Sequence, residues 1–251
     1  MRISRIDLDQ DIEIVSVLSI DENSQITDMS YNNPNHSQVL KNRKDVCDLL
    51  QTDFSHCVCP NQCHTTHFKL VDLTDGGKGM YSKEDAIKET DALITNVKDL
   101  WLWSFHADCC SVMIYAKDQS YIASIHSGWK GTVQEISKNV ITYMKESLHC
   151  DPKYMLAFVG PTINQENFEA MDDIIQLVNK MSFDTHAYYI KKDDSHYLLD
   201  HKGLIKATLM HCGIREENIK VSEIDTYTNE DYFSYRRNKT TCRNVTMIKL
   251  K

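Results

Sequence analysis

The residues of this chain whose types and positions could do chemistry together are a thiol and an imidazole, Cys109 and His126. Cys109 ends an Ala-Asp-Cys tripeptide just before an apolar run, and His126 ends a second apolar run. A cysteine held beside a histidine is either a nucleophile with its base or a pair of ligands for a metal ion. The two residues alone leave both alternatives open.

The elements around this pair predict how the two side chains meet. Two short β-type runs, Val112 to Ala116 and Tyr121 to Ile125, are joined by the polar turn Lys117 to Ser120 and predict a β-hairpin. Antiparallel pairing sets the start of one strand opposite the end of the other, so the hairpin brings Cys109 beside His126. The residues after His126 lead into a helical pattern, and a helix start favours a nearby anion.

A second group of potential ligands lies between residues 57 and 67: Cys57, Cys59, Cys63, His64 and His67. Their spacing, C-x-C-x3-C-H-x2-H, is not one of the usual frames of structural zinc sites. We therefore predict that this segment forms no local zinc knuckle, and that only one or two of its residues are functional.

Strand-like and helical patterns interleave along the rest of the chain, which predicts an α/β fold with layered, mixed sheets in a single domain spanning residues 1–251. Ser37 to Leu50 has apolar residues at helical spacing and predicts an amphipathic helix with Arg43 and Lys44 on its solvent side. The other predicted strands are Ile12 to Ile20, His67 to Leu73, Leu156 to Val159, Thr185 to Ile190 and Asn244 to Leu250, and the other helices are Val133 to Met144, Phe168 to Met181 and Leu204 to Cys212.

Composition excludes several classes of function. The net charge of −8 argues against a nucleic-acid surface. No apolar run is long enough to span a membrane, and the charged residues at the start of the chain do not fit a signal peptide. Nine cysteines, an odd number, argue against a disulfide framework. We therefore expect a cytoplasmic protein whose cysteines are mostly reduced.

The order of the motifs resembles one known family throughout, from about Asp28 to the C-terminus. This is the laccase-domain family, formerly called multicopper polyphenol oxidoreductases and now treated as purine nucleoside phosphorylases. The resemblance implies a mixed α+β layered sandwich, the fold shared with cytotoxic necrotizing factor. The motifs are Gln62-Cys63-His64, Asp91 to Thr95, Ala107-Asp108-Cys109, His126 to Gly131, Gly160 to Ile163 with Phe168-Glu169, and Phe233 to Arg237.

The resemblance further implies that His64, Cys109 and His126 bind one zinc ion and form the catalytic centre. Three protein ligands with an open fourth position are typical of catalytic zinc, whose bound water ionises near pH 7. The implied activities are those of a transferase and a hydrolase. They are phosphorolysis of adenosine, inosine, guanosine and methylthioadenosine, with phosphate as the second substrate, and deamination of adenosine.

Three further residues are candidates for substrate binding. Arg236 or Arg237 could hold the phosphate anion, although a surface ion pair is the other interpretation of both. Asp108 could orient a ligand imidazole or form a hydrogen bond at the end of a strand. The family usually carries an arginine and two glycines in the region of Val15 to Asp28, and this chain has neither there.

Two other functions remain open at this stage. A site of two histidines and a cysteine also suits copper, and the old family name implies a copper-dependent, laccase-like phenol oxidase. A multicopper enzyme needs tight clusters of histidines, however, whereas the eleven histidines here are scattered. The third interpretation is a metal-free hydrolase relative, with Cys109 as nucleophile and His126 as base.

Overall fold

The computed structural model describes all 251 residues, which form three β-sheets and six α-helices. The strands are β1 (Ile3–Ile6), β2 (Ile12–Val17), β3 (Cys57–Val58), β4 (Phe68–Leu70), β5 (Ala92–Thr95), β6 (Trp101–His106), β7 (Cys110–Ala116), β8 (Tyr121–Ser127), β9 (Met155–Val159), β10 (Glu169–Met171), β11 (Tyr189–Lys191), β12 (His196–Leu199), β13 (Ile219–Val221) and β14 (Asn244–Leu250). The sheet orders are β1-β2-β14-β6-β3, β13-β9-β7-β8-β5-β4 and β10-β12-β11.

The helices are α1 (His36–Leu49), α2 (Trp129–Val133), α3 (Ile136–Ser147), α4 (Asp172–Val178), α5 (His201–His211) and α6 (Tyr235–Asn238). All of them are too short or too polar to traverse a lipid bilayer. Gly213 lies just after α5 with φ at +98°, the left-handed conformation that ends a helix and that glycine adopts without a Cβ clash.

Alternating side chains on the strands build a layered sandwich. On β2, Ile14 packs between the two large sheets, whereas Val15 packs on the opposite side against α1. On β7, Met113 faces the space between the sheets, and Val112 packs against α3 and α5. Because both faces of these strands are covered, their sequences are continuous apolar runs. The order of layers is helix, sheet, sheet, helix, which confirms the predicted α/β fold with mixed sheets.

The predicted hairpin is confirmed as β7 and β8. Its register pairs Cys110 with Ser127 and Ser111 with His126. Cys109 directly precedes the Cys110–Ser127 pair and is two residues from Ser111, the partner of His126, so it lies diagonally across the hairpin from His126. The hairpin also forms the centre of the six-stranded sheet, with β9 on one side and β5 on the other.

The predicted position of Arg43 on the solvent side of α1 is wrong. The side chain is buried, and its guanidinium donates to the backbone carbonyls of Met29, Gly79 and Met80 at 2.6 to 3.2 Å. It also lies over the ring of Tyr31, 4.7 Å from the centroid. A buried charge is tolerated when its hydrogen bonds are satisfied, and these carbonyls come from loops distant in the sequence.

Two other predicted elements differ from the observed ones. The helix predicted from Phe168 begins only at Asp172, because residues 169–171 pair with β12 as strand β10. The strand predicted over Thr185 to Ile190 is mostly a short 3-10 turn, followed by β11. Both errors fall in the small three-stranded sheet, whose strands are too short to show a clear period.

Candidate metal centre

His64, Cys109 and His126 converge at one point of the structure. Their potential ligand atoms all lie within 4.8 Å of one another. The Sγ of Cys109 is 3.6 Å from Nε2 of His64. The imidazole rings of His64 and His126 have centroids 4.9 Å apart and planes at 77° to each other. The structure therefore brings together the three residues that the resemblance assigned to zinc.

Each of the three is held by a different part of the fold. His126 lies on β8, Cys109 lies directly before β7, and His64 lies in the loop between β3 and β4. His64 and Asp108 have positive φ angles of 59° and 78°. Non-glycine residues adopt this conformation infrequently, and such residues cluster at functional sites.

Asp91, at the residue before β5, fixes two of the three potential ligands. Its Oδ1 accepts hydrogen bonds from Nδ1 of His126 at 2.8 Å and from the backbone N–H of His64 at 3.0 Å. Its Oδ2 accepts from the backbone N–H groups of Cys63 and Thr65 and from the hydroxyl of Thr65. With Nδ1 of His126 bound to a carboxylate, Nε2 is the nitrogen left to face the centre.

The neighbouring charges favour the thiolate, the ligand form of Cys109. Burial opposes a charge on His126, but the thiolate and Asp91 raise the pKa of this imidazole to about 9, so a metal ion would displace its proton. Burial of Asp91 opposes its ionisation, but the hydrogen bond and charge of His126, with the hydrogen bonds of Thr65, outweigh burial and lower the pKa of the Asp91 carboxyl to about 2. Burial likewise opposes ionisation of Cys109, yet the two neighbouring imidazoles lower the pKa of its thiol to about 6. A thiolate is the form of cysteine that binds metals.

Gly128 leaves the space that the centre needs. A Cβ at this position would lie 2.8 Å from Cδ2 of His64 and 3.0 Å from Sγ of Cys109. Its φ of −70° is open to any residue, so contact with these two side chains is the reason for glycine here. Two imidazoles and one thiolate around such a space fit a zinc ion with an open position.

We expect Gly128→Ala to lower metal affinity by at least about 10-fold, because the new methyl group displaces His64 and Cys109. A loss of about 10-fold is the smallest usually seen when a residue that supports a metal ligand is replaced. The measurement is metal content per chain after dialysis against a graded chelator. Gly131→Ala, in the short helix that follows Gly128, is the matched control, since its Cβ would meet neighbours only at 3.4 Å and beyond. Equal metal retention in both variants would contradict this account of Gly128.

The centre opens into a cavity of about 540 Å³. Aromatic side chains of Trp129, Phe168 and Tyr235 line it, together with backbone from several loops. Four cations also line it: Lys83, Arg236, Lys239 and Arg243. None of these four forms an ion pair with a carboxylate, so their charges are available to a ligand.

The structure separates the two arginines predicted to bind phosphate. Arg236 lies on the cavity wall, where its guanidinium donates to the carbonyls of Asn167 and Glu169 and lies over the ring of Phe168. Arg237 does not line the cavity. Its guanidinium donates to four backbone carbonyls. Of the two alternatives, the geometry thus favours Arg236 as the phosphate ligand and a structural role for Arg237.

Of the two interpretations of Asp108, the structure favours a hydrogen bond at the end of a strand over orientation of an imidazole. Its carboxylate accepts from the hydroxyl of Thr226 at 2.7 Å and from the backbone N–H of Arg236 at 2.6 Å. Asp108 lines the cavity but acts on the placement of Arg236. The carboxylate that orients an imidazole is Asp91, which was part of a recognised motif but had no role assigned from sequence.

The other cysteines of the segment 57–67 are directed elsewhere. Cys57 and Cys59 are packed in the core between α1 and the five-stranded sheet, and Cys63 is exposed. We expect one metal ion per chain, unchanged by Cys57→Ser, when metal content is measured by mass spectrometry. A stoichiometry clearly above one that falls in Cys57→Ser would overturn the prediction.

Comparison with known proteins identifies relatives over most of the chain. The family model for multi-copper polyphenol oxidoreductase laccase matches residues 25–251. Purine nucleoside phosphorylase YlmD of Bacillus subtilis is 30% identical over 204 residues, which cover 81% of this chain and 73% of that protein. A purine nucleoside phosphorylase of Rickettsia conorii is 29% identical over 222 residues, covering 85% and 88%.

Solved structures agree with the fold. The hypothetical protein YfiH of Bacillus licheniformis superposes with a TM-score of 0.90 at 26% identity, covering 96% of this chain and 92% of that one. YlmD of Geobacillus stearothermophilus gives a TM-score of 0.92 at 22% identity, covering 96% and 93%. These matches confirm the resemblance seen in the motifs, and the chain belongs to the multi-copper polyphenol oxidoreductase laccase family.

Proposed function

We propose that this chain is a cytoplasmic, zinc-dependent purine nucleoside phosphorylase. Its substrates are adenosine, inosine, guanosine and methylthioadenosine, whose N-glycosidic bond is cleaved by phosphate, and it also deaminates adenosine. The observation that carries the proposal is a centre of two histidines and a cysteine that opens into a cavity with four cations free of carboxylate partners. The names of the relatives from Bacillus subtilis and Rickettsia conorii support it.

The donor set favours zinc as the metal. His64, Cys109 and His126 would hold the ion, and Asp91 would keep the ring of His126 in the required orientation. Zinc bound there supplies a Lewis acid next to the substrate. Two histidines and one cysteine form this single group of three convergent ligands, which favours one zinc ion over the several copper ions of a multicopper oxidase.

The cations favour an anionic co-substrate. On a chain of net charge −8, Arg236, Arg243, Lys83 and Lys239 converge on one cavity. Arg243 lies beside the region of Val15 to Asp28, which has no arginine of its own. Its backbone N–H donates to the carboxylate of Asp28 at 2.8 Å, so its side chain starts from that region. Guanidinium groups bind phosphate oxygens through paired hydrogen bonds.

The aromatic residues favour a purine ring. Trp129 and Phe168 line the cavity with flat apolar faces, and Arg236 lies over Phe168 at 5.5 Å from the ring centroid. A purine gains stabilisation from such faces, as bases do in other binding sites. The cavity of about 540 Å³ falls in the range of small-ligand pockets and accommodates a nucleoside beside a phosphate ion.

One observation favours a second candidate, a metal-free thiol hydrolase. The site contains a carboxylate, an imidazole and a thiol side by side, from Asp91, His126 and Cys109. Oδ1 of Asp91 is 2.8 Å from Nδ1 of His126. This arrangement resembles an activated nucleophile with an oriented base. His64 at 3.6 Å from the same sulfur has no role in such a triad, which favours the metal centre.

The decisive experiment is incubation of the zinc-loaded protein with each nucleoside, with and without phosphate, followed by separation of the products. We expect free base only when phosphate is present, together with ribose 1-phosphate from adenosine, inosine and guanosine and 5-methylthioribose 1-phosphate from methylthioadenosine. Inosine and ammonia should form from adenosine without phosphate. Chelation should abolish both reactions, and zinc should restore them. Absence of products from every nucleoside contradicts the proposal, and activity that survives complete chelation favours the thiol hydrolase.

A further inference from the structure

Two buried histidines line the cavity and each has a ring nitrogen without a partner. Six buried side-chain polar atoms in the chain lack a hydrogen-bond partner, and the two that belong to cavity residues are Nδ1 of His106 and Nδ1 of His201. Only 1% of the surface of His201 is accessible. An unpartnered buried polar atom destabilises a protein, so such an atom at a binding cavity points to a ligand group that completes it.

The hydrogen bonds around His201 assign its tautomer. Its Nε2 is 2.8 Å from the hydroxyl of Thr132. That hydroxyl also lies 2.8 Å from the hydroxyl of Ser127, which can donate to it, and itself donates to the carbonyl of Gly128 at 3.1 Å. A hydroxyl has one proton, and the carbonyl can only accept, so Nε2 of His201 is the donor to Thr132. Nδ1 is then a bare acceptor. Burial lowers the pKa of His201 to about 3, so the ring stays neutral.

We propose that Nδ1 of His201 accepts a hydrogen bond from a ribose hydroxyl of the nucleoside, which makes His201 a specificity-determining residue for ribonucleosides. The inference rests on the proposed phosphorylase function. The four proposed substrates differ in the donors of their bases, and methylthioadenosine has no 5′-hydroxyl. The only hydrogen-bond donors at the same position in all four are the 2′- and 3′-hydroxyls.

The neighbours of His201 suit a sugar next to a purine. Phe168 contacts the imidazole edge-on, with centroids 5.6 Å apart and planes at 89°, and it also lines the cavity. This apolar ring excludes water from the acceptor, which strengthens a hydrogen bond made there. The tautomer of His106 is not fixed in the same way, because the hydroxyl of its partner Thr246 bonds only to the hydroxyl of Ser16, which can donate or accept, and to no carbonyl.

The test compares His201→Gln with His201→Asn in the zinc-loaded enzyme. A glutamine amide overlies Nε2 and keeps the bond to Thr132, whereas an asparagine amide overlies Nδ1 and can present an acceptor to the sugar. We measure kcat/KM for adenosine, 2′-deoxyadenosine and 3′-deoxyadenosine in each protein. For each protein we take the ratio of kcat/KM for adenosine to kcat/KM for a deoxyadenosine. The quotient of the wild-type ratio and the variant ratio cancels the intrinsic reactivity of each glycosidic bond.

We expect this quotient to be roughly 10 for His201→Gln with one deoxynucleoside, as for loss of one hydrogen bond at a buried acceptor, and to be smaller for His201→Asn. The deoxynucleoside that responds identifies the hydroxyl, and the KM for phosphate should not change. A quotient near 1 with both deoxynucleosides overturns the inference while leaving the phosphorylase function intact. If His201→Gln does not fold, His201→Phe, which lacks any acceptor, takes its place with the same expectation.

Discussion

Replacing Cys109 by alanine is expected to abolish metal binding and enzymatic activity while the fold survives. The thiolate is the only anionic member of the centre, and its loss leaves two neutral imidazoles for a dication. The rates of phosphorolysis and deamination should both fall by at least about 100-fold. A loss of that size is the largest usually seen when a residue that only supports a metal ligand is replaced, and Cys109 is itself a ligand. The measurements are metal content per chain and turnover of adenosine and inosine.

The fold of Cys109→Ala is expected to survive because the substitution removes a single half-buried sulfur atom, at a cost of about 1 kcal/mol. Circular dichroism and thermal melting check this. Cys110→Ala is the matched control, since the neighbouring thiol is fully buried in the core and lies outside the centre. A folded Cys109→Ala protein with near-normal turnover would mean that the chemistry lies elsewhere.

Asp91→Asn is expected to weaken metal binding by about 10- to 100-fold, as for other residues that orient ligands. An amide has one oxygen. If that oxygen replaces Oδ1 and accepts from His126 and His64, the NH₂ group faces the backbone N–H groups of Cys63 and Thr65, donor against donor. The reverse orientation loses the bond to the imidazole.

The same substitution is expected to reduce the free energy of unfolding by about 1–3 kcal/mol, the range for a buried donor left unsatisfied. Asp225→Asn is the control, because Asp225 also accepts several hydrogen bonds, among them the backbone N–H groups of Asn164 and Tyr227, but does not line the cavity. Both variants should be less stable, measured by denaturant unfolding, and only Asp91→Asn should lose metal. Equal metal retention in both would show that Asp91 has no part in the centre.

The hairpin of β7 and β8 was predictable because its signal is local. Two apolar runs and a four-residue turn lie within a short stretch, and antiparallel pairing then determines that Cys109 and His126 meet. His64 could not be found in this way, because it reaches the centre from a loop 45 residues before Cys109. Only the order of motifs shared with a known family indicated it.

The errors concern side chains whose partners are distant in the sequence. Arg43 has a polar type and a helical position that predict exposure, but its partners are carbonyls of loops brought together by the fold. Arg236 and Arg237 are identical neighbours in sequence, yet one side chain reaches the cavity and the other is held by carbonyls. Periodicity gives the face of an element, whereas these roles depend on which acceptors tertiary packing brings near.

The ends of the two large sheets bear on how the protein behaves at high concentration. The outermost strands are β1 and β3 in one sheet and β4 and β13 in the other, and each has only two to four residues. Three of them carry a basic side chain, Arg5, Lys69 and Lys220. Short, charged outer strands are a recognised means of blocking strand addition from another molecule. This fold thus protects its long apolar inner strands from intermolecular β-pairing and the aggregation that follows from it.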